Sequence, residues 1–285
     1  MNYQWYPGHM TKAKRMMQEN ILLIDLVIEV LDARIPISSR NPDIDELAKG
    51  KGRIVLLNKS DLADPEENTR WMRYFEGRGV HVLEINAKTG TGVKNIKGLV
   101  ERACKEKIER DRRRGIVNRP VRAMVVGIPN VGKSTFINAF AGKACTKTGN
   151  KPGVTKGKQW IRLGKKLELL DTPGILWPKF EDNAVGRNLA FIGSMNDEII
   201  FLDELACDLL SCIRTLYPGA ISERYGISEE GSAAKLLEGV AESRKCYAKG
   251  ETLDTVKAAG ILLDDFRSGK IGRMTLEVCD EEKSF

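Results

Sequence analysis

The segment Gly127-Ile128-Pro129-Asn130-Val131-Gly132-Lys133-Ser134 fits G-x-x-x-x-G-K-[ST], with an apolar run, Val121 to Val126, before it and a helix-forming stretch, Lys133 to Phe140, after it. Strand, glycine-rich turn and helix in that order make a phosphate cradle. The glycines allow a tight turn with inward amides, and the helix N-terminus adds partial positive charge. Such a loop belongs at the end of a parallel strand in a doubly wound α/β sheet. Its place in the chain is unusual. Two polar loops, each delivered by an apolar run, precede it: Asn58-Lys59-Ser60-Asp61 and Asn86-Ala87-Lys88. Asp171-Thr172-Pro173-Gly174 follows, 38 residues after Lys133. Nucleotide-binding domains of this kind ordinarily begin with the phosphate loop and end with the base loops. The inverted order predicts a circular permutation, with its join in residues 105–119.

Each motif has its chemistry. Asn130, Val131, Gly132, Lys133, Ser134 and Thr135 are the expected phosphate contacts, with the Lys133 ammonium reaching the β- and γ-phosphates and the Ser134 hydroxyl on magnesium. Asp171, ending a strand, is expected to hold magnesium through water, and the Gly174 amide to face the γ-phosphate. Asp61 selects the base: its carboxylate can accept from the ring N–H and the exocyclic amine of guanine together, a donor pair that adenine lacks. Recognition of that kind rejects the wrong ligand by roughly 10⁴-fold. Asn58 is expected to tie this loop to the phosphate loop, the Lys59 stem to lie along the base, and the Ala87 amide to read the guanine oxygen between Asn86 and Lys88. Either base motif alone reads equally as a capped turn. The strand before each and the partner loops downstream favour GTP.

Thr155 is the candidate switch threonine that closes on magnesium. It lies in a segment, residues 143–166, that holds eight Lys/Arg and no acid. That charge points to a polyanion, nucleic acid first. The net charge of +7 is divided unevenly: 33 basic against 19 acidic side chains in residues 1–178, and 13 against 20 in 179–285. Six of the first ten residues of the 105–119 linker are basic as well; a solvated helix end and contact with RNA both fit them.

The expected domains are a GTPase domain over 1–178, including an N-terminal extension over 1–20, and an all-helical domain over 179–285. In the first, a long amphipathic helix is expected from Val93 through Cys104 and beyond. In the second, residues 184–275 lack strong β runs, and helices are expected over 203–216, 229–245 and 252–268. The six cysteines make no C-x-x-C pair, which argues for free thiols and against zinc. No apolar run approaches the roughly 18 residues of a membrane span, and the N-terminus has no signal core. A cytoplasmic, monomeric protein with no membrane partner is the expectation.

Trp5-Tyr6-Pro7-Gly8-His9-Met10, Asp32-Ala33-Arg34-Ile35-Pro36 and the permuted motif order together resemble the circularly permuted GTPases of the YlqF type over nearly the whole chain. The resemblance implies a late assembly factor for the large ribosomal subunit. Its GTPase activity would be slow alone and stimulated by the precursor subunit, and its helical domain would be similar to RNA-binding domains of the ANTAR type. One departure from ordinary GTPases matters: the residue after D-x-x-G, often a water-orienting glutamine, is Ile175. The resemblance points to His9 as the group that orients water; a turn histidine is the plainer alternative. It also implies potassium at Asn130, against a loop-shaping asparagine. Two other functions stay open at this stage: a nucleotide-gated RNA-binding module with vestigial hydrolysis, and a signalling GTPase without a ribosomal partner.

Overall fold

The computed structural model describes residues 15–116, 119–146, 159–174, 176, 182–195 and 201–279. Among these described residues, six strands form one sheet: β1 (Leu26–Asp32), β2 (Gly52–Asn58), β3 (His81–Ile85), β4 (Val121–Val126), β5 (Gln159–Leu163) and β6 (Leu167–Asp171). Their order is β3-β2-β1-β4-β6-β5. Every neighbouring pair is parallel except β5 with β6. β1, paired on both sides and apolar but for Glu29 and Asp32, is buried along its whole length, as expected of a central strand covered on both faces. The two halves that the permutation exchanges pair with each other at β1–β4. There the first three strands, which carry the base loops, meet the last three, which carry the phosphate loop.

The helices of this half are α1 (described over residues 15–20), α2 (Asp43–Leu47), α3 (Pro65–Gly77), α4 (Ile96–Ala103), α5 (Lys105–Arg113) and α6 (Lys133–Ala141). α3 starts sharply. Pro65 takes a first-turn position that needs no amide partner, and the Asp64 carboxylate accepts from the Glu66 and Glu67 amides. The single long helix expected from Val93 is divided into a 3₁₀ turn at Val93–Asn95, then α4, then α5 after a break at Cys104. Gly52, entering β2, lies so close to the Ala103 carbonyl that a Cβ there would come within 2.8 Å. Beyond the break the apolar stripe runs out, and Lys107, paired within the helix with Asp111, anchors α5 through Asp25.

Among the described residues, five further helices follow: α7 (Asn183–Phe191), α8 (Leu202–Leu216), α9 (Ala220–Tyr225), α10 (Ala233–Ser243) and α11 (Thr255–Arg267). α8 presents Leu205, Leu209, Leu210 and Ile213 to α10 and α11, which answer with Leu237, Val240, Leu262 and Phe266. The helix expected over 229–245 begins only at Ala233. Glu229 instead accepts from the Gly219, Ile221 and Ser222 amides, satisfying the open N-terminus of α9, and Ser232 caps α10. The helical expectation also fails over 268–275. Gly269, at positive φ, follows the Ser268 cap that ends α11, and the chain continues without helix or strand as a strap through residue 279. One apolar cluster runs from the strands into α8, α10 and α11. Among the described residues, no helix is long and apolar enough to cross a membrane.

Candidate functional site

Parallel pairing brings the carboxyl ends of the strands to one edge of the sheet. There Asp32 lies opposite Asn58, Asn58 opposite Ile85, and Val125 opposite Asp171. The loops that leave these ends carry every motif in the described residues. Cutting and rejoining the chain has changed their order in sequence and left their place on the sheet.

The phosphate loop links β4 to α6, and its glycines are required. Gly127, at φ +151°, passes so close to β1 that a Cβ would lie 2.5 Å from the Val30 carbonyl. Gly132, at φ +95°, leaves room for Asn58, whose Nδ2 would be 2.4 Å from an added Cβ. Asn130 and Lys59 also adopt positive φ, a strained backbone that surrounding contacts must hold. Lys133 is buried and donates from Nζ to the Ile128 carbonyl at 2.8 Å. Burial lowers its pKa to about 8 against the pull of Asp171. Gly174 packs on the same loop: a Cβ there would come within 2.8 Å of Pro129 and 2.9 Å of Lys133 Nζ.

Asp171 carries the largest unmet demand. It is 1% exposed, and neither carboxylate oxygen has a hydrogen-bond partner among the described residues. Burial raises its pKa to about 6, opposed by Lys133. An orphaned buried carboxylate beside a lysine suits a divalent cation that satisfies its oxygens, directly or through water. Thr172 fixes the strand end by donating from Oγ1 to the Val125 carbonyl at 2.7 Å. Ser134 and Thr135 lie in the first turn of α6, half-buried.

The base loops converge through Asn58. Its Nδ2 donates to the Val131 carbonyl at 2.7 Å, and its Oδ1 accepts from the Ala87 amide at 2.9 Å, so one side chain ties three loops together. Asn86 accepts from the Lys88 and Thr89 amides and closes its own turn. Asp61 is exposed. The Lys59 ammonium pairs with the fully buried Asp32 at 2.9 Å. Burial opposes ionisation of Asp32, yet Arg34 and Lys59 together hold its carboxyl far below the usual range. His9, Thr155 and Ile175 lie outside the described residues.

The structure adds residues that the motifs did not reveal. Asn130 Nδ2 donates to the Gly193 carbonyl at 2.6 Å, and Ser194 Oγ donates to the Pro129 carbonyl at 2.7 Å. The phosphate loop is thereby bonded to the segment after α7. Arg267 in turn donates to the Ala190 and Phe191 carbonyls, and Arg273 contacts the first base loop. These bonds go to backbone carbonyls distant in sequence, which leave no mark on residue spacing.

Residues 122–216 match the 50S ribosome-binding GTPase family. Ribosome biogenesis GTPase A of Bacillus cereus is 46% identical over 99% of this chain and 95% of its own length. The chain belongs to the ribosome biogenesis GTPase A family. The Thermotoga maritima member is 32% identical over 96% of this chain and 93% of its own. Two solved YlqF structures share the fold. The GDP-bound one has a TM-score of 0.67 and 27% identity, covering 92% of this chain and 98% of that one. The GNP-bound T. maritima one has a TM-score of 0.66 and 28% identity, covering 96% and 100%. This member of the ribosome biogenesis GTPase A family is thus a circularly permuted P-loop GTPase with a role in ribosome biogenesis, and its reaction is hydrolysis of GTP to GDP and phosphate.

Proposed function

We propose that the chain is a GTP-timed factor for late maturation of the large ribosomal subunit. It binds precursor ribosomal RNA in the GTP state and leaves after hydrolysis. The observation that carries this reading is the pair of bonds from Asn130 to Gly193 and from Ser194 to Pro129, which couple the phosphate loop to the chain entering the helical part. A rearrangement around the γ-phosphate therefore bears on the placement of α7 and α8. The division at 178/179 separates the nucleotide-binding unit from the RNA- or ribosome-binding unit, and the strap crosses back over it.

In this reading Asp61 reads guanine, the Ala87 amide faces the guanine oxygen, and Lys59 and Lys88 flank the base. Lys133 and the amides from Asn130 to Thr135 hold the phosphates. Ser134, Asp171 and Thr155 hold magnesium, which when bound neutralises phosphate charge. Gly174, which lies against the phosphate loop, turns its amide to the γ-phosphate. His9 orients the water in place of the glutamine that Ile175 replaces. Asn130, whose amide is oriented by Gly193, holds potassium. The basic segment 143–166 takes the RNA phosphates. The site of action is the cytoplasm.

The test is GTP turnover of the native protein and of a His9→Ala variant, with and without purified large subunits, in potassium and in sodium. The expected result is strong stimulation by the subunit, faster in potassium and lost in His9→Ala while GTP still binds. Stimulation that survives the substitution would remove His9 from the mechanism. No stimulation would remove the subunit.

A further inference from the structure

The strap that follows α11 reaches across to the first base loop. Arg273 donates from Nη2 to the Ser60 carbonyl and from Nε to the Ala63 carbonyl, both at 2.9 Å. The Met274 amide donates to the Leu62 carbonyl at 2.9 Å, and the Asp64 amide donates to Thr275 Oγ1 at 3.1 Å. These four bonds bracket Asp61 on both sides. The strap is itself held firmly. The Tyr217 hydroxyl accepts from the Thr275 amide and donates to the Thr275 carbonyl. The Leu276 amide donates to the Arg34 carbonyl. The half-buried Glu277 carboxylate accepts from the Ile37 and Ser38 amides, and Trp71 Nε1 donates to the Glu277 carbonyl.

A surface loop with solvated carbonyls samples many backbone arrangements. A bidentate read-out of guanine needs one carboxylate orientation, and small displacements of a recognition group are costly. Here the backbone on either side of an exposed Asp61 is fixed by a segment more than 200 residues away in sequence. We propose that the C-terminal strap sets guanine discrimination, with Arg273 as the positioning residue that holds Asp61 for the ring N–H and exocyclic amine. The inference rests on the reading of Asp61 given above. Because the strap continues from α11, base occupancy and docking of the strap stabilise each other by reciprocal linkage.

The experiment measures equilibrium affinities of the full chain for GDP and for inosine diphosphate, whose base lacks the exocyclic amine. The proteins compared are native, Arg273→Ala, Thr275→Val and Asp61→Asn. The expected result is a GDP preference that falls about tenfold in Arg273→Ala, the scale of one well-made hydrogen bond, and less in Thr275→Val. Equal losses for both nucleotides would make Arg273 a packing residue and overturn the inference. A preference that collapses in Asp61→Asn and stays intact in both strap variants would overturn the inference alone. An unchanged preference in Asp61→Asn would overturn the reading of Asp61, and the inference with it. If Arg273→Ala fails to fold, hydrogen exchange of the native strap decides: protection of residues 273–279 should rise more with GDP than with inosine diphosphate, and equal protection would contradict the inference.

Discussion

Asp32 shows how much one buried side chain can carry. Its carboxylate receives Arg34 Nε and Nη2 at 2.8 Å each and the Lys59 ammonium at 2.9 Å, and both Asp32 and Arg34 are all but sealed from water. Removing one partner of a buried ion pair costs about 3–5 kcal/mol, because the remaining charge stays desolvated. Asp32→Asn should therefore destabilise the protein by roughly that amount at pH 7, read by denaturant unfolding. The folded pKa lies below the unfolded value of 3.8. The carboxylate's contribution is thus complete above about pH 4 and declines as pH falls through the folded pKa. The gap between native and variant should narrow below pH 4; a gap independent of pH would contradict this role. Gly174 makes a second case. A methyl group there meets the Pro129 backbone at 2.8 Å, and backbone cannot step aside cheaply. Gly174→Ala should abolish turnover while circular dichroism stays native, and unchanged turnover would count against contact between the Asp171-Thr172-Pro173-Gly174 segment and the phosphate loop.

Among the elements, the loops at the strand ends act as one assembly, with Asn58 as the hub. Asn58→Ala leaves the Ala87 amide and the Val131 carbonyl without their bonds, a cost of about 1–3 kcal/mol for each buried group left unpaired. GTP affinity should fall more than tenfold, measured by titration calorimetry, while the sheet stays folded. The sequence made these loops legible for a physical reason: each follows an apolar run, and each needs particular residue types at fixed spacing. Gly127, Gly132, Lys133, Asn58 and Asp171 all stand where the motifs put them on the sheet. The helix that divides at Cys104 was hidden because apolar periodicity continues up to the break, while the obstruction, the start of β2, is remote in sequence. Gly193, Ser194 and Arg273 were hidden because carbonyl contacts between distant segments have no periodicity. His9 and Thr155 were singled out by resemblance and loop chemistry, and no geometry in the described residues bears on them.

At the scale of the whole molecule, permutation changes what the nucleotide can move. The segment after Asp171-Thr172-Pro173-Gly174 does not lead back into the sheet; it leads in sequence to α7, to the residues bonded to the phosphate loop at Gly193 and Ser194, and to the helices beyond. The strap then closes the circuit by returning from α11 to the base loop. Disconnecting the first link should separate hydrolysis from release. A Ser194→Ala variant is expected to keep GTP affinity within about fivefold, since it loses one buried bond of about 1 kcal/mol, and to lose part of the nucleotide dependence of ribosome binding. The most direct test of the account is the affinity of the native protein for large-subunit precursors, measured by co-sedimentation with GDP and with a non-hydrolysable GTP analogue. A GTP-timed factor predicts binding at least tenfold tighter with the analogue, because a ligand moves an equilibrium only by its differential affinity for the two states. Equal binding with both nucleotides would contradict it.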